Sequence, residues 1–148
     1  LENNQVVFRF PSTTLITRVL EGEFPPYERV IPPQQPRGFS CAKEPLVSAI
    51  RRVSLMTTTA SQAVVFEFAS GRLTLSKDSP ELGSVREELP VSYDGEATTM
   101  AFNPAFWLEV LRTFEEDDVR VELAGADRPA VIRLPEFTYV ALPMKMAP

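Results

Sequence analysis

The sequence predicts an α+β fold in which two helices of similar length lie on one face of antiparallel sheets built from about eight strands. The main observation is a repeated order of elements, strand–helix–three strands, which occurs twice between residues 37 and 146. A second observation is that each predicted helix carries apolar residues at helical spacing. The two halves share this order but little residue identity, so the repeat is one of architecture.

The first half begins with a predicted strand at residues 38–43. A helix is expected from Glu44 to about Met56, because Pro45 suits the first helical position and Glu44 can cap it. Its apolar stripe consists of Leu46, Ala49, Ile50 and Val53. The remaining strands are predicted at residues 63–69, 73–76 and 85–92, with a turn at Ser70-Gly71.

The second half follows the turn signal Asp94-Gly95. Asn103-Pro104 predicts a helix start, since asparagine caps a helix and proline fits its first turn. The stripe of this helix is Phe106, Trp107, Val110, Leu111 and Phe114. Strands are predicted at residues 98–102, 119–123, 130–134 and 137–142. In the second of these, valine and leucine alternate with Arg120 and Glu122, as in a half-buried strand.

The first 36 residues are organised differently. Two short β-branched and aromatic runs, residues 6–10 and 14–20, predict a hairpin. Five prolines between residues 23 and 36 then indicate an extended linker. Because an isolated hairpin is marginally stable, residues 1–24 are interpreted as the tail of a preceding domain.

Composition excludes several kinds of chemistry. The chain contains no histidine, which rules out a Ser-His-Asp triad, a Cys-His dyad and any zinc site with a histidine ligand within it. The net charge of −5 argues against a domain that coats DNA through bulk electrostatics, although a local positive face remains compatible with it. No export signal or membrane-spanning run is recognised, and the single Cys41 fits a reducing compartment, so a cytoplasmic location is expected.

Three segments carry a family resemblance. Residues 20–32 read LEGEFPPYERVIP, residues 101–111 read AFNPAFWLEVL and residues 139–146 read YVALPMKM. The first resembles the join between the second and third domains of the bacterial DNA sliding clamp family, the beta subunit of DNA polymerase III. The other two resemble the start of the second helix of that family's last domain and its closing strand and tail. The order and spacing also fit, so the resemblance covers essentially the whole chain.

The resemblance implies a DNA-clamp domain and a function without catalysis. The family forms a head-to-tail homodimeric ring around duplex DNA and acts as the processivity factor of the replicative polymerase. Residues 1–31 are then expected to be the C-terminal tail of the preceding clamp domain plus a linker, and residues 32–148 a complete C-terminal clamp domain. The family's first domain and most of its second lie outside this chain, so a monomer is expected here and a homodimer in the full-length protein.

The resemblance also implies a peptide-binding pocket. In the family, the replicative polymerase, the clamp loader and repair proteins dock through short peptides at the domain junction. The matching positions are Pro25, Arg29, Val30, Ser61, Asn103, Phe106, Val140, Ala141, Leu142, Pro143, Met144, Lys145 and Met146. Proline fixes the shape of a groove and methionine adapts to varied partners. The alternative is that Val140 and Leu142 belong to the core and the methionines to a frayed tail.

Two further surfaces follow from the resemblance. Arg51, Arg52 and Arg112 match helix positions that face duplex DNA, where they would contact phosphates without reading sequence. Positions at the subunit interface are matched by Leu55, Met56, Arg86, Glu87 and Glu88. Each set also has a simpler interpretation, because exposed helix arginines are common and apolar residues at a helix end can cap the core.

The acidic run Glu115-Glu116-Asp117-Asp118 could in principle hold Mg²⁺ or Ca²⁺. Its position between a predicted helix and a predicted strand favours a solvated loop instead, and no metal or cofactor is expected. Three functions therefore remain open from the residues: a clamp that docks peptides, an α+β peptide-binding module unrelated to DNA, and a carboxylate-dependent nuclease or hydrolase.

Overall fold

A computed structural model describes residues 4–146 and divides the chain into two compact units, one ending at Ile31 and the other beginning at Pro32. Within the described residues, no helix combines the length and apolar character needed to cross a bilayer.

The first unit contains the predicted hairpin. Strands β1 (Gln5–Arg9) and β2 (Thr14–Arg18) pair antiparallel, with Gln5 opposite Arg18 and Arg9 opposite Thr14. A short 3₁₀ helix at Tyr27–Arg29 follows within the proline-rich segment, which was expected to be extended. The apolar side chains of the hairpin are largely solvent-exposed, as in Phe8 and Ile16.

The second unit confirms the duplicated order of strand, helix and three strands. Its first half comprises β3 (Gly38–Ala42), α1 (Lys43–Ser54), β4 (Val64–Ala69), β5 (Arg72–Ser79) and β6 (Gly83–Pro90). Its second half comprises β7 (Thr98–Phe102), α2 (Pro104–Leu111), β8 (Asp118–Leu123), β9 (Ala130–Arg133) and β10 (Thr138–Ala141). The α+β class with antiparallel sheets is confirmed, and the two helices pack against each other.

The two halves exchange their first strands. One sheet has the order β10-β9-β8-β3 and the other β6-β5-β4-β7, so each contains three consecutive strands from one half and the opening strand of the other. Within residues 4–146, one isolated bridge, between Ser40 and Ser92, joins them. Asp94-Gly95 therefore lies in a connection that runs from one edge of a sheet to the opposite edge, and not in the hairpin that the dipeptide commonly forms.

The core lies between the helices and the sheets. The predicted stripe of α1 is fully buried, and an aromatic cluster forms where Phe66 packs against Phe102 and Trp107, with ring centroids 5.2 and 5.4 Å away. Burial of this apolar surface is the main stabilising contribution to the unit. The helices are thus held against the sheets of the second unit by residues that the sequence marks as periodic.

The start of α1 differs from the prediction. The helix begins at Lys43, the N-cap position is occupied by Ala42, and no side chain caps it, so Glu44 is not the cap. Pro45 is the third helical residue and not the first. This position tolerates proline because the first four N–H groups of a helix have no partner within it.

Two other residues depart from their predicted patterns. Phe106 does not belong to the buried stripe of α2 but is 56% exposed, because the stripe follows Trp107, Val110, Leu111 and Phe114 around the other side of the helix. Glu122 is buried, although the alternation predicted an outward side chain. Its carboxylate accepts hydrogen bonds from Arg133 Nε at 3.2 Å and from the backbone N–H of Gln35 at 3.0 Å.

Candidate peptide-binding site

An open apolar cleft of about 250 Å³ lies between the first turn of α2 and strand β10. Five of the thirteen residues predicted for the pocket line it: Asn103, Phe106, Val140, Ala141 and Leu142. Phe102, Trp107 and Tyr139 complete the lining. The second unit therefore forms a concave apolar surface from residues that are more than 30 positions apart in the chain.

The helix side of the cleft depends on how α2 begins. The Asn103 side chain accepts a hydrogen bond from the backbone N–H of Ala105 at 2.9 Å, and Pro104 occupies the first turn, as the sequence predicts. This cap fixes the direction of the helix directly after β7. Phe106 is consequently held on the outer face of α2, where its ring lines the cleft.

The strand side is formed by β10 and the residue after it. Ala141 is buried and forms the base of this wall, whereas Leu142 is 67% exposed and forms an apolar rim that is open to solvent. The hydroxyl of Tyr139 donates a hydrogen bond to the backbone carbonyl of Phe106 at 3.2 Å and ties the strand to the helix. Burial raises the pKa of the Tyr139 phenol, and the Glu109 carboxylate raises it further, so this hydroxyl stays protonated at neutral pH.

The tail after β10 continues along the other sheet. The backbone N–H of Met144 donates to the carbonyl oxygen of Ala101 at 2.7 Å, which holds the tail against β7. The cleft lining ends at Leu142 and does not include the next four residues, Pro143, Met144, Lys145 and Met146. Met144 and Met146 nevertheless expose apolar surface within four residues of Leu142. The tail is anchored at Met144 and not frayed there.

The remaining predicted pocket residues lie outside this cleft. The Ser61 hydroxyl accepts a hydrogen bond from Lys77 Nζ at 2.5 Å and does not contribute to the lining. Pro25, Arg29 and Val30 belong to the first unit, where they are exposed.

Sequence reasoning missed three lining residues. Tyr139 and Phe102 directly adjoin predicted pocket residues, and Trp107 was assigned to the helix core, where it is indeed buried. The signal that could have identified them is the large aromatic content at both ends of the cleft, since aromatic side chains dominate the lining of ligand pockets.

The three predicted DNA-facing arginines have different surroundings. Within residues 4–146, Arg51 and Arg112 make no ion pair, and both side chains are exposed. Arg52 makes a forked ion pair with Glu87, with both N···O distances at 2.8 Å. The hydrogen bond from Arg52 holds the pKa of the Glu87 carboxyl below its usual range, against a smaller opposing effect of burial.

The predicted interface residues cluster at the end of α1 and on β6. Leu55 is 75% exposed, and Met56 is half-buried with its methyl group near Gly83 at the start of β6. Arg86 pairs with Glu67 at 3.2 Å and with Glu88 at 3.6 Å. Since β6 is the edge strand of its sheet, one side of its backbone has no strand partner within the described residues.

The acidic run lies between α2 and β8 with exposed side chains, and Asp118 is the first residue of β8. The Lys43 side chain donates to the carbonyl oxygen of Phe114, and the Lys43 backbone N–H donates to that of Asp117. Among residues 4–146, no group of three or more potential metal ligands comes together.

The chain resembles known proteins along nearly its whole length. Residues 28–145 match the family described as "DNA polymerase III beta subunit, C-terminal domain". The beta sliding clamp of Chlamydia muridarum is 30% identical over 147 residues, which cover 99% of this chain and 40% of that protein. The beta sliding clamp of Treponema pallidum is 30% identical over 152 residues, covering 98% of this chain and 41% of that protein.

Solved structures agree with this match. The sliding clamp of Bartonella birtlesii bound to griselimycin superposes with a TM-score of 0.89 at 28% identity, over 99% of this chain and 40% of that one. This chain spans about 40% of the length of the relatives named here. On the strength of the match over residues 28–145, the chain belongs to the DNA polymerase III beta subunit family, the beta sliding clamps, and carries that family's C-terminal domain.

Proposed function

We propose that the second unit is the peptide-docking domain of a sliding clamp that serves as the processivity factor of a replicative DNA polymerase. The observation that supports this most strongly is the cleft beside α2, because it places the exposed side chains of Phe106 and Leu142 around one apolar hollow. Large exposed apolar side chains that line a concavity are typical of binding sites and are unfavourable without a partner.

The proposed ligand is a short peptide with aliphatic or aromatic anchors, of the Gln-x-x-Leu-Phe type. Its anchors would enter the cleft between Phe106 and Leu142 while Asn103 offers polar contacts at the rim. Pro143, Met144, Lys145 and Met146 would border the peptide on the tail side. Pro25, Arg29, Val30 and Ser61 are proposed to belong to the docking region on the family resemblance. The replicative polymerase, the clamp loader and repair proteins are the proposed sources of such peptides.

Calorimetric titration of the 148-residue chain with a Gln-x-x-Leu-Phe peptide tests this proposal. Leu142→Ala should weaken binding about tenfold, since losing most of one buried aliphatic side chain costs roughly 1.5 kcal/mol. Leu82→Ala is the matched control, because Leu82 is also an exposed leucine but lies in the connection between β5 and β6. Equal affinities of the parent and Leu142→Ala would contradict the proposal.

The longer protein is proposed to be a homodimeric ring around duplex DNA. In this proposal Arg51, Arg52 and Arg112 face the DNA, and Leu55, Met56, Arg86, Glu87 and Glu88 meet the neighbouring subunit. Residues 1–31 would be the tail of the preceding domain with its linker, and residues 32–148 the complete C-terminal domain. The division at Pro32 and the family match over residues 28–145 support these bounds.

The isolated chain is proposed to be a monomer that holds DNA only weakly. Light scattering at increasing concentration should give the mass of one chain, 16.6 kDa. Any binding to duplex DNA should disappear as salt is raised, because phosphate contacts release counterions. A stable dimer, or salt-resistant binding, would contradict these assignments for the fragment.

A further inference from the structure

A second hollow continues the cleft along the same helix. It has a volume of about 310 Å³ and is lined by Glu109, Val110, Thr113, Phe137 and Tyr139. Tyr139 lines both hollows and is held between them by its hydrogen bond to the carbonyl of Phe106. A ligand that fills the first hollow can therefore extend past Tyr139 without leaving the surface of α2.

The second hollow has an apolar base. Val110 is buried, and the half-buried ring of Phe137 packs against Phe114 with ring centroids 5.9 Å apart. This contact holds the Phe137 ring at the base of the hollow. A ligand side chain of aliphatic type fits this base.

The rim of the second hollow is acidic. The Glu109 carboxylate is exposed and close enough to Tyr139 to influence its phenol. A third hollow shares Thr113 and Phe137 and is bordered by Glu115, Glu116 and Glu136. Within residues 4–146 none of these four carboxylates makes an ion pair. Their negative charge is therefore available to a cationic partner.

We propose that this groove binds the segment that flanks a docking peptide, and that it selects an aliphatic residue next to lysine or arginine residues. The aliphatic side chain would lie between Val110 and Phe137, and the cationic groups would face Glu109 and the acidic border beyond it. The proposal rests on the proposed function, since the docking motif must occupy the first hollow. Continuity through Tyr139 and complementarity of charge support it.

The test compares extended peptides with the unextended Gln-x-x-Leu-Phe peptide on the 148-residue chain. Extensions of four residues, which span about 13 Å when extended, carry one leucine and two lysines at either the N-terminus or the C-terminus. One of the two basic extensions should bind about fivefold tighter than the core peptide, in line with one added apolar contact and weak charge pairing. The same extension with two glutamates in place of the lysines should lose this gain.

Glu109→Lys supplies the matched variant. It should abolish the gain from the basic extension and leave the affinity of the core peptide unchanged. Glu96→Lys controls for net charge, because Glu96 is an exposed carboxylate outside α2 and β10 and makes no ion pair in the described part of the chain. An equal loss in both variants would mean nonspecific attraction and would overturn the inference.

The affinity of the core peptide alone distinguishes a failure of the flanking groove from a failure of the docking cleft. If the core peptide binds and neither basic extension improves its affinity, the flanking groove is wrong and the docking cleft stands. If the core peptide does not bind at all, both the proposed function and the groove that depends on it fall.

Discussion

At the scale of single residues, Glu122 explains how the beginning of the second unit is held in place. The residue is 5% exposed, and its carboxylate accepts hydrogen bonds from Arg133 and from the backbone N–H of Gln35. Arg133 in turn donates to the carbonyl oxygen of Pro32. A charge in this position is stabilised only because its hydrogen-bonding capacity is satisfied. The pair therefore connects two sheet strands to the segment that enters the domain.

Removing one member of this pair should be costly. Arg133→Ala is expected to lower the free energy of unfolding by about 3 kcal/mol, because it leaves the Glu122 carboxylate buried without its counter-ion. Urea unfolding followed by circular dichroism measures this change. Arg72→Ala is the control, since Arg72 and Glu88 are about half exposed and 4.0 Å apart, and its effect should stay below about 1 kcal/mol. Equal effects of both substitutions would contradict the role assigned to Glu122.

At the scale of elements, α1 is tied to the edge strand β6 by Arg52 and Glu87. This contact joins two residues that the family resemblance assigns to different surfaces, the DNA face and the subunit face. The two proposed surfaces would therefore meet at this ion pair, which engages Arg52 but neither Arg51 nor Arg112. The resemblance assigned the two residues to separate surfaces but could not indicate that they meet, because they lie 35 positions apart.

The pKa of Glu87 tests this contact. Carboxyl chemical shifts measured by NMR across an acid titration should show Glu87 titrating below the ordinary glutamate range, and Arg52→Gln should move its pKa upward. Because the pKa of this carboxyl is lower in the folded than in the unfolded chain, its ionised form stabilises the fold at pH values above the pKa of the unfolded chain. This stabilisation is lost as the pH falls through the pKa of the folded chain. The pair's contribution should therefore disappear on acidification. An unchanged Glu87 titration in Arg52→Gln would show that the pair is absent in solution.

Most of the elements were predictable, and the boundaries that were wrong have local causes. Asn103-Pro104 defined the start of α2 correctly, because a capping side chain and a first-turn proline act together. The start of α1 was predicted one residue too late, since a proline can occupy any position of the first turn. The exchange of β3 and β7 between the sheets could not be predicted from periodicity, because strand pairing depends on contacts between distant parts of the chain.

At the scale of the whole second unit, the cleft lies within the second repeat. Strand β10 packs against α2, and the segment after β10 is bonded to β7 through the Met144 N–H and the Ala101 carbonyl, so the cleft lies between the beginning and the end of that repeat. Sequence reasoning identified five lining residues through the family resemblance, and composition alone would not have found them. It missed Tyr139 and Trp107 because a buried or half-buried aromatic residue looks the same in sequence whether it faces core or cleft.

The most direct test of the docking cleft is an amide NMR titration of the ¹⁵N-labelled 148-residue chain with a Gln-x-x-Leu-Phe peptide. The largest shift changes should fall on residues 103–107 and 139–142, with little change at residues 82–88, which lie at the start of β6 in the sheet that does not contain β10. Changes concentrated at residues 82–88, or no changes at saturating peptide, would contradict the assignment of the cleft between α2 and β10 as the peptide-binding site.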